Sequence, residues 1–151
     1  MSPRYAAYYA PDPQGDLWDL ACAWLGRDPH RKVDCVRPAT PALSDLDLDA
    51  LTASPRGYGF HATLKAPFEL ADGTSEAVLL DFAEGFAARR APFEASISPQ
   101  GLGRFLAFRL NEPCPAMDAL AEACVREFDP FRAPLSEADI ARRRKANLTP
   151  A

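Results

Sequence analysis

Residues 58–67 of the chain, Tyr-Gly-Phe-His-Ala-Thr-Leu-Lys-Ala-Pro, carry the pattern that most restricts how it can fold. Successive side chains of a β-strand point to opposite faces of the sheet. In a strand, His61, Thr63 and Lys65 would therefore share one face, and the apolar residues between them would share the other. The segment predicts a half-buried strand from Gly59 to Leu70, with an imidazole, a hydroxyl and an ammonium in a row on its polar face.

That row of polar groups suits phosphate chemistry. The imidazole of His61 can transfer a proton near neutral pH, and the hydroxyl of Thr63 and the cation of Lys65 can bind phosphate oxygens. On spacing alone, two other interpretations stay open. A histidine in a strand is often a hydrogen-bonded residue with no chemical role, and a lysine there can be a solvated residue at a sheet edge.

The apolar spacing elsewhere predicts helices at four places. These helices are Asp16–Leu25, Ser75–Arg90, Pro115–Phe128 and Ser136–Lys145. In the first helix, the inward side is expected to hold Leu17, Leu20, Ala21 and Trp24, and Gly26 is expected to end it. In the second, Leu79, Phe82 and Phe86 are expected to face inward. A fifth, shorter helix is predicted around residues 46–51, with Ser44 as its cap.

Three further strands complete the pattern. The first is Arg4–Ala10, and the other two, Phe93–Ser98 and Arg104–Leu110, flank a Pro99-Gln100-Gly101 turn typical of a hairpin. Strands that alternate with helices in this order predict an α+β fold, in which helices pack on an antiparallel or mixed sheet.

The length of 151 residues fits one domain or two small lobes that share a core, and we predict a single domain over residues 1–151. The net charge of −4 argues against an extended nucleic-acid surface, although a local basic pocket stays compatible with it. No apolar run is long enough to span a bilayer and no signal peptide opens the chain, so the expected location is the cytoplasm, without a membrane partner.

The four cysteines, Cys22, Cys35, Cys114 and Cys124, form no Cys-x-x-Cys pair. With only two scattered histidines, the chain lacks the ligand spacing of a zinc site, so neither a metal nor another cofactor is expected. The cysteines are expected to be reduced, and those within helical patterns to be small buried residues.

Residues 58–67 resemble the first His-x-Thr motif of the two-histidine phosphoesterase superfamily, which includes RNA 2′,3′-cyclic phosphodiesterases. The resemblance extends over nearly the whole chain to one bacterial group, the domain-of-unknown-function 1045 group, whose members are often described as phosphonate-metabolism proteins. It is carried by RYAAYYAP, LWDLACAWLG, YGFHATLKAPF and FDPFRAPLSEADIARRR.

This resemblance implies two α+β lobes around a cleft, with helices on the outer faces. Each lobe contributes one His-x-Thr or His-x-Ser; one histidine acts as general base, the other as general acid, and the hydroxyls hold the phosphate. It therefore implies His61 and Thr63 as catalytic residues. The implied activity is a metal-independent phosphodiesterase acting on cyclic or 2′-linked nucleotide or sugar phosphates, and the implied setting is phosphonate metabolism.

The departure from the family pattern is the second motif. The other histidine, His30, lacks a hydroxyl residue two positions on, and it is expected to be exposed and inert. The chain is therefore expected to be a C-terminally truncated member, without the last helix and strand, and inactive by itself. The alternative is a non-catalytic phosphate- or nucleotide-binding module, or a self-associating one that forms a homo-oligomer through an exposed strand edge.

Three residues are candidates for contact with a small phosphate-containing substrate, such as a cyclic nucleotide or ribose phosphate. Lys65 and Arg104 could each contact a phosphate. Tyr9, on the first strand, could stack against a base or sugar, although core packing is the alternative for the tyrosines of that strand.

Overall fold

The computed structural model describes residues 3–103 and 105–145. It contains two compact units, and the boundary between them falls twice within the chain. We call Tyr8–Thr63 the His61 unit, and the remainder, up to Ala7 and from Leu64 onward, the Lys65 unit. The single-domain organisation over residues 1–151 stays a prediction.

The chain is α+β, as predicted, and its described strands form three two-stranded sheets. The strands are β1 (Tyr5–Tyr9), β2 (Arg27–Asp28), β3 (Val33–Asp34), β4 (Ala62–Phe68), β5 (Ile97–Leu102) and β6 (Phe105–Leu110). β1 pairs with β4, and the other two pairs, β2 with β3 and β5 with β6, are antiparallel. The two-lobed cyclic phosphodiesterase-like arrangement stays a prediction.

The described helices are α1 (Asp16–Leu25), α2 (Leu48–Thr52), α3 (Glu76–Ala88), α4 (Pro115–Glu127) and α5 (Glu137–Lys145). Short 3₁₀ turns lie at Pro41–Leu43, Pro55–Gly57 and Asp129–Phe131. All four long helices occur where the apolar spacing predicts them. No helix within the described residues is long and apolar enough to cross a membrane.

Helix α1 of the His61 unit has the predicted bounds and ends at Gly26, which adopts a left-handed conformation at φ +72. Its inward side differs from the prediction by one position. The buried residues are Trp18, Ala21, Cys22 and Leu25, whereas Leu20 is 62% exposed. Because most residues of this helix are apolar, two adjacent stripes both have helical spacing, and periodicity alone cannot separate them.

The short helix α2 begins two residues later than predicted, and its cap is Asp47 instead of Ser44. The Asp47 carboxylate accepts a hydrogen bond from the backbone N–H of Ala50 at 3.0 Å. The hydroxyl of Ser44 instead donates to the carbonyl of Pro41. Both residue types cap helices well, but Ser44 lies at the end of the preceding 3₁₀ turn, Pro41–Leu43, and bonds to that turn.

The core of the Lys65 unit is aromatic. Phe68 from β4, Leu79 and Phe86 from α3, and Cys124 and Phe128 from the α4 end are buried together. The predicted inward residue Phe82 packs against this group, with its ring edge-on to Phe128 at 5.0 Å. Ser75 caps α3 by accepting a hydrogen bond from the N–H of Val78.

The hairpin of β5 and β6 is confirmed, but its turn lies further along the chain. Pro99, Gln100 and Gly101 lie within β5 and pair with residues of β6. The last pair is Leu102 with Phe105, and Gly103 follows β5 at φ +60. Tight hairpin turns use residues with positive φ, and Gly103 adopts this conformation without steric cost.

All four cysteines are free thiols, in agreement with the expectation that they are reduced. Cys22 and Cys124 are buried within helices, as predicted. Burial is the main reason why the pKa of Cys22 is raised to about 11, and nearby Asp28 adds to the effect.

Candidate functional site

His61 is half-buried and directly precedes β4, which begins at Ala62 and not at the predicted Gly59. Thr63 is exposed on the strand and is the last residue of the His61 unit. Lys65 belongs to the other unit. The candidate site described below therefore consists of His61, Thr63 and the residues of the His61 unit that contact the imidazole.

One ring nitrogen of His61 is tied to the backbone. Nδ1 lies 3.0 Å from the carbonyl oxygen of Gly59. Because a carbonyl oxygen only accepts hydrogen bonds, Nδ1 must carry the proton in this contact. In the neutral imidazole, Nε2 then has the free lone pair, so Nε2 is the atom that could accept a proton from another molecule.

Gly59 can present its carbonyl in this direction because it has no side chain. Its φ is +81, and a Cβ at this position would lie 2.5 Å from Cγ of Pro29. Both the left-handed backbone and the close contact exclude a larger residue. The peptide that binds Nδ1 is thus held against the loop that contains Pro29.

The loop that contains Pro29 is itself anchored by a buried carboxylate. Oδ1 of Asp28 accepts backbone N–H groups of His30 at 2.8 Å and Arg31 at 2.9 Å. Its other oxygen accepts the indole N–H of Trp18 at 3.3 Å. Burial alone would raise the pKa of Asp28, but these hydrogen bonds and the Arg31 charge outweigh it and lower the pKa.

Two tyrosines contact the His61 ring. The Tyr8 ring stacks on it with the centroids 4.0 Å apart and the planes tilted by 33°. The Tyr58 ring meets it edge-on at 5.4 Å, and the Tyr58 hydroxyl lies 3.3 Å from that of Ser54. Imidazole is thus bounded by aromatic rings on two sides, while its Nδ1 is engaged by the backbone.

Neither Tyr8 nor Tyr58 was singled out from the sequence as a contact of the imidazole. Tyr9, the tyrosine predicted to stack against the base or sugar of a substrate, is 51% exposed. That substrate contact stays a prediction. Tyr8 precedes β4 by more than 50 residues, and the two come together only because β1 pairs with β4. The strand pattern places Tyr8 and Tyr9 on opposite faces, but it does not say which face meets the imidazole.

Lys65 has contacts that hold the Lys65 unit together. It is only 6% exposed, so the interpretation as a solvated edge residue is wrong. Its ammonium donates to the carbonyl of Val125 at 2.8 Å and to the carboxylate of Asp129 at 3.1 Å. These bonds engage the ammonium within the protein, and its contact with a substrate stays a prediction.

Arg104 and His30 complete the set of residues singled out from the sequence. Arg104 lies outside the described residues. His30 is exposed, as expected, and its ring is edge-on to Trp18 at 6.2 Å. Within residues 3–103 and 105–145, no group of three or more His, Cys, Asp or Glu side chains is placed to hold a metal ion.

Comparison with known proteins identifies the family. A family described as "Protein of unknown function (DUF1045)" matches residues 63–151, which is more than half of the chain. The chain belongs to the DUF1045 family. This agrees with the resemblance of the sequence to the domain-of-unknown-function 1045 group, and the family description assigns no activity to DUF1045.

Two curated relatives carry a more specific name. The chain is 40% identical over 146 residues to "Ribose 1,5-bisphosphate phosphokinase PhnN" of Janthinobacterium sp. (strain Marseille), covering 96% of this chain and 32% of the relative. It is 39% identical over 131 residues to the protein of the same name from Laribacter hongkongensis (strain HLHK9), covering 87% and 31%. This DUF1045 chain therefore spans about a third of each relative. No solved structure is significantly similar to it.

Proposed function

We propose that this chain carries one half of the acid/base machinery of a metal-independent phosphodiesterase of the two-histidine type. His61 would transfer a proton through Nε2, and the hydroxyl of Thr63 would bind an oxygen of the phosphate. The observation that carries the proposal is the hydrogen bond between Nδ1 of His61 and the carbonyl of Gly59, because it leaves Nε2 as the proton-transfer atom.

The substrate class follows from two lines of support. The resemblance of residues 58–67 to a His-x-Thr motif favours a cyclic or 2′-linked phosphate. The name of the relatives refers to a ribose phosphate, and the group that the chain resembles is associated with phosphonate metabolism. We therefore propose a cyclic ribose phosphate or a nucleotide 2′,3′-cyclic phosphate as the substrate.

The kinase activity in the relatives' name is a less suitable candidate for this chain. A P-loop kinase binds phosphates with a Gly-x-x-x-x-Gly-Lys-Ser/Thr segment, and none of Lys32, Lys65 and Lys145 follows a glycine. In the proposal, the kinase activity belongs to the two-thirds of the relatives that this chain does not cover.

The chain contains one His-x-Thr, so it supplies one of the two proton-transfer groups that in-line displacement at phosphorus needs. By itself it is expected to bind the phosphate of a substrate or product with little or no turnover. A partner segment that supplied the second histidine would restore turnover. Self-association through an exposed strand edge remains the alternative role.

The test is a titration of the ¹⁵N-labelled chain with adenosine 2′-monophosphate, observed by NMR. The expected result is saturable shifts at His61 and Thr63, weakened by His61→Gln and by Thr63→Val and unchanged by His30→Gln. A chain that ignores the nucleotide at millimolar concentration would overturn the proposal, as would binding that both site variants leave intact.

A parallel assay measures hydrolysis of adenosine 2′,3′-cyclic phosphate by the same chain. Any turnover is expected to fall by about 10²–10⁴-fold in His61→Gln, since this is the usual contribution of a positioned acid or base. Turnover that is rapid and survives His61→Gln would remove His61 from the reaction.

A further inference from the structure

We infer that Tyr8 is a positioning residue for His61: its ring fixes the plane of the imidazole, so that Nδ1 stays on the Gly59 carbonyl and Nε2 stays available for proton transfer. The inference rests on the proposed function for its catalytic meaning. The geometric part, that Tyr8 sets the orientation and tautomer of the ring, can be measured without any substrate.

The physical need for such a residue comes from the side-chain torsion of histidine. The last torsion of the side chain, χ2, joins an sp³ to an sp² carbon and has broad, roughly two-fold minima. A single hydrogen bond of 3.0 Å between Nδ1 and a carbonyl, at a half-buried position, adds only modest net stability, because it replaces a hydrogen bond to water. By itself, this bond would leave a rotated ring appreciably populated.

The stacked ring of Tyr8 blocks rotation of the imidazole out of the observed plane, and within that plane the hydrogen bond to Gly59 distinguishes the observed ring from one flipped by 180°. Its centroid lies 4.0 Å from that of the imidazole, at van der Waals contact, and its plane is tilted by only 33°. Rotation of the imidazole about χ2 would drive ring atoms into the phenol. Aromatic pairs of this kind add stability beyond their buried area, to an extent comparable with the net contribution of the hydrogen bond itself.

The second tyrosine acts on the same ring from a different direction. Tyr58 meets the imidazole edge-on, at an interplanar angle of 85°, and it directly precedes Gly59. The backbone N–H of Gly59 also donates to the carbonyl of Pro55 at 2.8 Å. Tyr58 and the Gly59 peptide are therefore parts of one local turn. Tyr8 lies on strand β1, far away in the sequence, so it restrains the ring independently of that turn.

The experiment uses the 151-residue chain and long-range ¹H–¹⁵N NMR spectra, which distinguish the Nδ1–H and Nε2–H tautomers of His61. In the wild-type chain, the Nδ1–H form is expected to dominate. Tyr8→Leu removes the flat ring, and the Nε2–H form is expected to become comparably populated. Tyr8→Phe keeps the ring and is expected to behave as the wild type.

Tyr9→Leu is the matched control, since Tyr9 neighbours Tyr8 on the same strand and is similarly exposed. It is expected to leave the tautomer unchanged. A general loss of structure in Tyr8→Leu would be recognised by shifted resonances throughout the chain. In that case the test is the comparison of the His61 tautomer between Tyr8→Phe and the wild type. The inference is overturned if the wild type is mainly Nε2–H, if Tyr8→Leu folds and keeps the wild-type tautomer, or if Tyr8→Phe loses it.

The failure of this inference and the failure of the proposed function are distinguishable. The tautomer measurement concerns only the geometry around His61, while nucleotide binding and hydrolysis concern its chemistry. If the tautomer depends on Tyr8 and yet His61→Gln and Thr63→Val both bind the nucleotide like the wild type, then the positioning role stands and the phosphodiesterase proposal falls.

Discussion

Lys65 and Asp129 form an ion pair in which Nζ and Oδ1 are 3.1 Å apart, joining β4 to the 3₁₀ turn that follows α4. The two partners differ in environment: the lysine side chain is 6% exposed and the aspartate side chain 51%. The ammonium also donates to the carbonyl of Val125. A buried ammonium needs such partners, because charge in an apolar core is costly unless it is paired.

Because Lys65 is buried and Asp129 is half exposed, the two partners are expected to differ in how much their removal destabilises the protein. Asp129→Ala leaves the buried ammonium with one carbonyl, and we expect it to lower the free energy of unfolding by about 1–3 kcal/mol. Lys65→Met removes the buried charge and keeps the apolar stem, so its effect should be smaller. Urea unfolding of the two variants measures the difference.

The control for this pair is Arg126→Met, which breaks an exposed ion pair with Glu122 on α4. Exposed pairs contribute little, so the change should stay within about 0.5 kcal/mol. If Lys65→Met lowers the free energy of unfolding as much as Asp129→Ala does, then burial of the unpaired lysine charge is not the reason for the loss in Asp129→Ala.

Asp129 also predicts a dependence of stability on pH. Hydrogen bonds from Arg132 and then from Lys65 lower the pKa of Asp129 from 3.8 to about 2. A carboxyl whose pKa is lower in the folded state stabilises the protein fully above the unfolded value. That stabilisation is then lost as the pH falls through the folded value.

We therefore expect the stability advantage of the wild type over Asp129→Asn to be constant above about pH 4 and to shrink between 3.8 and about 2. Chemical unfolding of both proteins across this range measures it. If the difference in stability between the wild type and Asp129→Asn does not change down to pH 2, then the charge of the Asp129 carboxylate is not what stabilises the wild type.

The conformation of Gly59 predicts a graded series of glycine substitutions. Gly59→Ala introduces a left-handed alanine and a clash with Pro29, Gly73→Ala introduces only the left-handed alanine at φ +80, and Gly57→Ala introduces neither. We expect destabilisation to decrease in that order, with about 1–3 kcal/mol for backbone strain at Gly59 and Gly73. Thermal or urea unfolding measures the series.

The site itself gives a second measurement in that series. Because the Gly59 carbonyl accepts from His61, Gly59→Ala should also change the NMR signals of the imidazole, whereas Gly73→Ala should not. Equal effects of the two variants on His61 would mean that the Pro29 contact does not hold the peptide in place.

The hairpin of β5 and β6 predicts where self-association would occur. Residues paired across its strands share a face, and one face carries Ile97, Pro99, Gly101, Leu106, Phe108 and Leu110. Leu106 is 62% exposed on this face, and neither strand pairs with a third one among the described residues. Exposed apolar strands of this kind favour association with another chain.

Light scattering over a range of concentrations is expected to show self-association of the wild type, which Leu106→Lys should suppress with little effect on stability. Leu20→Lys, at an equally exposed leucine of α1, is the control and should leave association intact. A wild type that stays monomeric throughout, or equal suppression by both variants, would contradict a role for the hairpin.

Much of the local structure was predictable from the sequence because its signals are local. The apolar spacing predicted α1 with its observed bounds, and the glycine after it ends the helix as expected. The capping residue Ser136 accepts the Asp139 N–H, as the Ser-x-x-Asp spacing indicates, and its hydroxyl also donates to the Asp139 carboxylate. These features depend on contacts within one or two helical turns.

Errors arose where two local solutions were nearly equal in energy. The inward stripe of α1 and the cap of α2 each had a neighbouring alternative of similar chemistry, a second apolar stripe in α1 and a second capping residue before α2. The turn of the hairpin moved from Pro99-Gln100-Gly101 to Gly103 for the same reason, since both segments contain a glycine. Packing and strand register, which are not local, chose between the alternatives.

By itself, the sequence determined the α+β class, the long helices and the membership in DUF1045, and it singled out His61 and Thr63 as the residues to examine. Only the tertiary structure decided that Tyr8 stacks on His61, that Gly59 binds Nδ1 against Pro29, and that Lys65 is buried beside Asp129. Helix periodicity depends on residues that are close together in the sequence. The contacts of Tyr8 with His61, Gly59 with Pro29 and Lys65 with Asp129 join positions at least 30 apart, and only the hydrogen bond between Gly59 and His61 is local. Such contacts depend on which surfaces pack together when the chain folds.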